Sequence, residues 1–135
     1  MKEITLKARI ENIPEATAFI DGKLEALGCG LKAQMQIDVA MDELFGNIAR
    51  YAYGDGEGEV TVCFDFEENT RQAVITLTDR GKPFDPTAAM VPDVKIPVAE
   101  RKVGGLGIFL VRKTMDDMAY EYRDGQNVLT IRKKI

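Results

Sequence analysis

Residues 60–78 of the chain read VTVCFDFEENTRQAVITLT. The first part alternates apolar and polar residues, which places Val60, Val62, Phe64 and Phe66 on one face of a strand. A polar turn around Glu68-Asn69 separates this run from a second alternating run, residues 73–78. Two alternating runs joined by a short polar turn predict an antiparallel β-hairpin.

A second hairpin is indicated at residues 119–133, where Asp124-Gly125 separates two strand-like runs. Hydrophobic periodicity predicts the two strands of this hairpin at Ala119–Arg123 and Val128–Lys133 and one more strand at Ile4–Ile10. It also predicts helices at Pro14–Leu27, Leu31–Tyr53 and Ile108–Met115. Because most strands arrive in adjacent pairs, the predicted fold is an α+β two-layer sandwich. Its sheet is mixed but mostly antiparallel, its helices lie on one face, and one domain spans residues 1–135.

The composition narrows the class of protein. Of the 135 residues, 45% are hydrophobic, and the net charge of -4 arises from intermixed acidic and basic residues. Without a basic stripe we expect no direct nucleic-acid binding. No apolar run approaches the ~20 residues that a membrane-spanning helix needs, and no signal-peptide pattern is visible. Cys29 and Cys63 match no metal-ligand or redox spacing, so we expect a cytoplasmic protein with no membrane partner.

The chain contains no histidine. This excludes a Ser/His/Asp triad, a Cys/His dyad, histidine-ligated zinc and a phosphohistidine. Any proton transfer must therefore fall to a carboxylate, a lysine, a tyrosine or a cysteine.

Glu43 and Asn47 lie four residues apart on the helix predicted from Leu31 to Tyr53, at the margin of its apolar face. Such a pair is common on a solvated helix surface and need have no further role. Alternatively, the Asn47 amide oxygen binds a magnesium ion, which keeps its waters and takes phosphate oxygens. Glu43 then acts as the general base on an attacking hydroxyl or water.

Two glycine-containing motifs follow. Asp79-Arg80-Gly81 comes directly after a predicted strand, where a carboxylate can accept a hydrogen bond from an exocyclic amino group and a glycine lets the backbone approach a ring. An ordinary polar turn is the alternative. Gly104-Gly105-Leu106-Gly107 precedes the last predicted helix, where backbone N–H groups favour phosphate, although a flexible loop explains it equally well.

The three motifs occur together in a fixed order. Glu43-Leu44-Phe45-Gly46-Asn47 resembles the N box of the GHKL (Bergerat-fold) ATPases, Asp79-Arg80-Gly81 is similar to their G1 box, and residues 104–107 resemble their G2 box. The resemblance covers nearly the whole chain, including the order of strands and helices. Within that superfamily the chain looks most like the anti-sigma-factor serine/threonine kinases.

This resemblance implies a function. ATP with Mg²⁺ would be the cofactor, held by Asn47 at the metal, by Asp79 and Gly81 at adenine, and by Gly104, Gly105, Leu106 and Gly107 at the phosphates. Glu43 would activate the acceptor hydroxyl, and Arg101 resembles an arginine directed at the terminal phosphate. The implied partners are a sigma factor and its anti-anti-sigma antagonist, and such kinases can form homodimers. A non-catalytic, ATP-gated module that sequesters a sigma factor or another protein is the alternative.

Overall fold

The computed structural model describes residues 2–88 and 105–135. They form strands β1 (Lys2–Lys7), β2 (Glu59–Glu67), β3 (Gln72–Asp79), β4 (Asp117–Arg123) and β5 (Gln126–Lys134), and helices α1 (Ile13–Ala26), α2 (Leu31–Asn47) and α3 (Gly105–Thr114). A π turn, Ile48–Ala52, extends α2, and short 3-10 turns lie at Ile10–Asn12 and Pro86–Ala88. The described residues therefore follow the predicted order of strands and helices.

The strands form one sheet in the order β1-β2-β3-β5-β4, and each neighbouring pair is antiparallel. β2 and β3 are the hairpin predicted from residues 60–78, with Val62 opposite Leu77. β4 and β5 are the second hairpin. Its turn residues, Asp124 and Gly125, have φ angles of 55° and 76°, as the two-residue turns of hairpins require. The predicted α+β fold is confirmed.

The helices cover one face of the sheet. Alternate side chains of β3 are buried, namely Ala73, Ile75, Leu77 and Asp79. The three apolar ones belong to a core that also includes the inner faces of α1 and α2, among them Ile20, Leu24, Ile37, Met41 and Phe45. On the opposite face the hydroxyl oxygens of Thr5 and Thr61 lie 2.9 Å apart. Among the described residues, no helix is long and apolar enough to cross a membrane.

A glycine in the left-handed conformation ends α1. Gly28 has a φ of 71°, and its N–H donates to the Glu25 carbonyl at 3.1 Å, while the Cys29 N–H donates to the Leu24 carbonyl at 3.0 Å. This pair of bonds satisfies the carbonyls of the last turn and reverses the chain. α2 then begins at Leu31, as the sequence predicts.

The first strand is shorter than the sequence predicts. β1 ends at Lys7 rather than Ile10, because β2 begins at Glu59 and the ladder has no further partner. The Ala8 N–H donates instead to the Gly58 carbonyl at 2.9 Å. The chain then enters a 3-10 turn that leads directly into α1.

Two helix boundaries also differ. The sequence predicts one helix to Tyr53, but the regular α-helix ends at Asn47 and widens into the π turn. α3 begins at Gly105, before the predicted start at Ile108. The glycine at position 107 therefore lies in the first turn of a helix and not in the loop before it.

Two carboxyl groups face each other between α1 and α2. Burial is the main factor that raises the pKa of Asp38 to about 7, followed by the neighbouring Asp21 carboxyl group and the charge of Glu25. One oxygen of Asp21 and one of Asp38 are buried and have no hydrogen-bond partner in the described part of the chain. Two facing carboxylates repel each other, so the close approach of Asp21 and Asp38 favours a state in which they share one proton.

We expect Asp38→Asn to stabilise the protein at and above neutral pH. The pKa of Asp38 lies above the ~3.9 of an unfolded aspartate, so its stabilising contribution is full below about pH 4 and is lost as the pH rises to 7. The asparagine amide resembles the protonated carboxyl group of Asp38 and does not ionise, so the variant should not lose stability as the pH rises. Thermal melts from pH 4 to pH 8 should show a flatter pH dependence in the variant. Asp42→Asn, at an exposed position of α2, is the control, and equal slopes for Asp38→Asn and wild type would contradict the interpretation.

Candidate functional site

A cavity of about 310 Å³ opens beside the C-terminal end of α2. It lies between that end, the loop after β3 and the inner face of β4 and β5. Its lining residues are Leu44, Asn47, Ile48, Tyr51, Ala52, Asp79, Lys82, Pro83, Phe84, Pro86, Tyr120, Asn127 and Leu129. The walls are mostly apolar and a few polar groups converge on them, as is usual for small-molecule sites.

Asp79 is the last residue of β3 and is 4% exposed. Its Oδ1 accepts two hydrogen bonds, from the Gly81 N–H at 2.9 Å and from the Asn127 side-chain amide at 2.9 Å. No donor to its Oδ2 is found among the residues that the structure describes. Because Asp79 lines the cavity, its second oxygen is an acceptor suited to a ligand N–H group.

Asn127 is a site residue that the sequence reasoning missed. It is 5% exposed on β5, directly opposite Asp79, and its amide also donates to the Lys82 carbonyl at 2.9 Å. Its Oδ1 accepts the Phe84 N–H at 3.1 Å and the hydroxyl of Tyr120. One side chain thus fixes both the orientation of Asp79 and the path of the loop after β3. The sequence does contain a signal for it: in the alternating pattern of β5, Asn127 is a polar residue at a position that faces the core.

Gly81 lies against the end of the π turn. A Cβ at this position would overlap the carbonyl group and side chain of Ala52, and the next residue, Lys82, donates its N–H to the Ala52 carbonyl at 2.7 Å. Gly81 is not among the residues that line the cavity. In this structure the absence of a side chain therefore serves contact between two backbone segments, whereas the sequence suggests close approach to a ring.

Tyr53 ties the same junction to the sheet. Its hydroxyl donates to the Glu59 carbonyl at 2.6 Å and accepts the Arg80 N–H at 2.8 Å. Burial is the first cause that raises the pKa of Tyr53, so the phenol stays protonated and keeps donating at neutral pH. Its ring also occupies the space that a side chain at Gly58 would need. The end of α2 is thereby fixed to the beginning of β2 and to the end of β3.

Glu43 and the glycine motif meet between α2 and α3. A Cβ on Gly107 would overlap the Glu43 carboxylate, so this side chain lies directly against the first turn of α3. Glu43 is half-buried and is not among the cavity-lining residues. The carboxylate thus lies at the contact between α2 and α3.

Asn47 lies on the cavity wall, one turn after Glu43 on α2. Its side chain makes no hydrogen bond within residues 2–88 and 105–135, which leaves the amide oxygen available to a cation. Those residues contain no group of three or more Asp, Glu or Cys side chains that could hold a metal ion without other ligands. A cation here would therefore need oxygens from a bound ligand, which fits the preference of Mg²⁺ for phosphate and water.

The structure thus brings residues of all three predicted motifs together. Asn47 and Asp79 share the cavity, Gly81 supports its rim, and Glu43 meets Gly107 beside it. Gly105 and Leu106 lie in the first turn of α3, where backbone N–H groups have no partner within the helix and favour an anion. The predicted site residues Arg101 and Gly104 lie outside the described residues.

We expect Gly81→Ala to destabilise the protein by about 1–3 kcal/mol, because the new methyl group would overlap the Ala52 backbone. Gly22→Ala is the matched control. Gly22 is exposed on α1 and has no atom within 4 Å of an added Cβ, so the same change there should stabilise the helix by up to about 1 kcal/mol. Urea denaturation measures both. Equal effects of the two substitutions would contradict a tight contact at Gly81.

The chain matches a known family over most of its length. The sequence model of the family described as "Histidine kinase-like ATPase domain" matches residues 6–133 of the chain. The match therefore includes all three helices and the residues that line the cavity.

Individual relatives are similar at modest identity. A serine-protein kinase RsbW of Oceanobacillus iheyensis is 28% identical over 134 residues, which is 94% of this chain and 82% of the relative. A serine-protein kinase RsbW of Bacillus cereus is 26% identical over 131 residues, covering 94% of this chain and 81% of the relative. A serine/threonine-protein kinase BtrW of Bordetella bronchiseptica is 27% identical over 100 residues, covering 74% and 70%.

Proposed function

The chain belongs to the histidine kinase-like ATPase domain family, and on that premise we propose that it is an ATP-binding anti-sigma factor with protein serine/threonine kinase activity. It would use Mg-ATP to phosphorylate a serine or threonine of its anti-anti-sigma antagonist. The observation that carries the proposal is the convergence of Asn47 and Asp79 on one apolar cavity, with Glu43 beside it. Relatives named as serine-protein kinases support it.

The cavity is the proposed adenine site. Its apolar walls suit a planar ring, and the Oδ2 of Asp79 accepts the exocyclic amino group of adenine. The two donors on Oδ1, Gly81 and Asn127, hold the carboxylate in that orientation. Guanine presents a carbonyl where adenine has its amino group, and an acceptor facing an acceptor is repelled. We therefore propose selectivity for ATP over GTP.

The proposed metal ligand is the Asn47 amide oxygen. When bound there, magnesium would neutralise charge on the triphosphate, which is the main requirement of phosphoryl transfer besides positioning. The phosphates then extend toward the first turn of α3, where Gly105, Leu106 and Gly107 offer backbone N–H groups. Gly104 would contact the phosphates from just before that turn, and Arg101 would contact the terminal phosphate.

Glu43 is the proposed general base. The acceptor oxygen forms a bond to the γ-phosphorus as the bond between that phosphorus and the ADP oxygen breaks. The hydroxyl proton passes to the Glu43 carboxylate, and ADP leaves. Glu43 is half-buried against Gly107 and within one helical turn of Asn47, so it borders the path from cavity to solvent.

The proposed partners follow from the same role. The protein would sequester a sigma factor, and the unphosphorylated antagonist would displace it. Phosphorylation would then release the antagonist. We propose that it acts in the cytoplasm without direct contact to nucleic acid or membrane, and that two copies can associate as a homodimer.

Asp79→Asn should weaken ATP binding about 10- to 100-fold, because a charge-assisted hydrogen bond contributes about 1.5–3 kcal/mol. Isothermal titration with a non-hydrolysable ATP analogue measures the change, and circular dichroism checks that the variant is folded. Asp55→Asn, at an exposed position, is the control. If Asp79→Asn bound the analogue as tightly as wild type, the adenine assignment would be wrong.

Glu43→Gln should lower phosphoryl transfer about 10²- to 10⁴-fold while ATP affinity stays within a few-fold of wild type, because only the base is lost. Labelled ATP and the candidate antagonist protein provide the assay, with phosphoserine or phosphothreonine as the readout. Glu68→Gln, at an exposed position in the turn between β2 and β3, is the matched control. A wild type that binds ATP but transfers phosphate to no candidate would favour a non-catalytic, ATP-gated binding module.

A further inference from the structure

α2 carries a ridge of exposed apolar side chains on its N-terminal half. Leu31, Met35 and Val39 are 73%, 58% and 51% exposed. They follow one another at intervals of four residues, so they are neighbours along one side of the helix. Scattered exposed apolar residues are ordinary, but an uninterrupted row over two helical turns is unusual on a solvated surface. We call Leu31, Met35 and Val39 the apolar ridge.

The apolar ridge leads into the proposed active site. The same four-residue interval continues from Val39 to Glu43 and then to Asn47. Each step advances about 6 Å along an α-helix, so Val39 lies about one turn from the proposed base. Side chains in a helix also lean toward its N-terminus, which directs Glu43 toward Val39.

The described surroundings of Glu43 include the cavity wall and the first turn of α3. The cavity adjoins the C-terminal end of α2, where Asn47, Ile48 and Tyr51 form its wall. The first turn of α3 covers Glu43 at Gly107. Among the described residues, the apolar ridge is the uncovered surface that is continuous with Glu43 along α2. A protein that presents a hydroxyl to this carboxylate from solvent would therefore contact the ridge.

We propose that the apolar ridge is the docking surface for the protein that accepts the phosphoryl group. This inference rests on the proposed kinase function and adds the location at which the substrate protein is held. The partner presents an apolar patch to Met35 and Val39 and its acceptor serine or threonine about one helical turn further on. Burial of an apolar row beside the reacting group holds the hydroxyl in position, which is a principal requirement of phosphoryl transfer.

The charges around the apolar ridge indicate which charges the partner protein should carry next to its acceptor hydroxyl. Asp42 and Glu43 lie at the Val39 end of the ridge, whereas Lys32 lies beside Leu31 at the other end. A partner with neutral or basic residues next to its acceptor hydroxyl is complementary to this surface. One with acidic residues there would be repelled from the Glu43 end.

The test compares two charge-introducing variants, Met35→Glu and Val39→Lys, with wild type. The probe is the antagonist protein that serves as acceptor in the Glu43→Gln assay. We expect the KM for this protein to rise at least 10-fold in each variant, with ATP affinity unchanged. Met35→Leu keeps an apolar side chain and should retain wild-type KM. Tyr122→Ser, at a residue 48% exposed on the edge strand β4, is the control for loss of an exposed apolar group elsewhere.

Binding to the acceptor protein is measured separately in the Glu43→Gln background, where docking proceeds without transfer. Unchanged KM and unchanged binding in both ridge variants would overturn the docking surface while leaving the kinase function intact. A changed ATP affinity in the ridge variants would also overturn it, because the substitutions would then act through the nucleotide site. A loss of dimer in light scattering would assign it to a second copy. A wild type that neither binds nor phosphorylates the antagonist would overturn both proposals.

Discussion

The contact between Gly81 and the Ala52 carbonyl joins the two parts of the molecule on which the site depends. It brings the end of α2 against the end of β3 at backbone distance, so that Asn47 and Asp79 face one cavity although they are far apart in sequence. The π turn makes the contact geometrically accessible because it widens the last turn of the helix. A side chain at position 81 would separate helix and strand.

Asp79 shows how an anionic acceptor is kept inside a mostly apolar wall. A buried carboxylate is costly unless it is hydrogen-bonded, and here the backbone of Gly81 and the amide of Asn127 both donate to one oxygen. Asn127 is held in turn by the loop after β3 and by Tyr120. The orientation of Asp79 is therefore fixed before any ligand arrives, which reduces the free energy that binding would spend on ordering it.

Much of the fold follows from local sequence patterns. The alternation in residues 60–78 and the Asp124-Gly125 turn each depend on neighbouring residues, and each is present as predicted. The boundaries that differ depend on distant partners. β1 ends where β2 begins, and α2 widens where it meets the loop after β3. Neither partner is visible in a local window.

The candidate site likewise contains some features that depend on neighbouring residues and others that depend on distant partners. Asp79 and Asn47 could be predicted because each belongs to a short motif, but the role of Asn127 depends on the register that pairs β3 with β5. The contact of Glu43 with Gly107 likewise depends on how α2 and α3 pack. The roles assigned to Glu43, Asn47, Asp79, Arg101 and the glycines remain predictions.

The strand order has a consequence for how the chain folds. β3 lies at the centre of the sheet, and its partner on one side, β2, is its neighbour in sequence. Its partner on the other side is β5, where the paired Thr76 and Thr130 are 54 residues apart. During synthesis the hairpin of β2 and β3 can form early, but one edge of β3 stays unpaired until the ribosome has delivered β5. The pairing of β3 with β5 is therefore the slow folding step expected for this topology. Until it occurs, the unpaired edge of β3 can pair with other chains and cause aggregation.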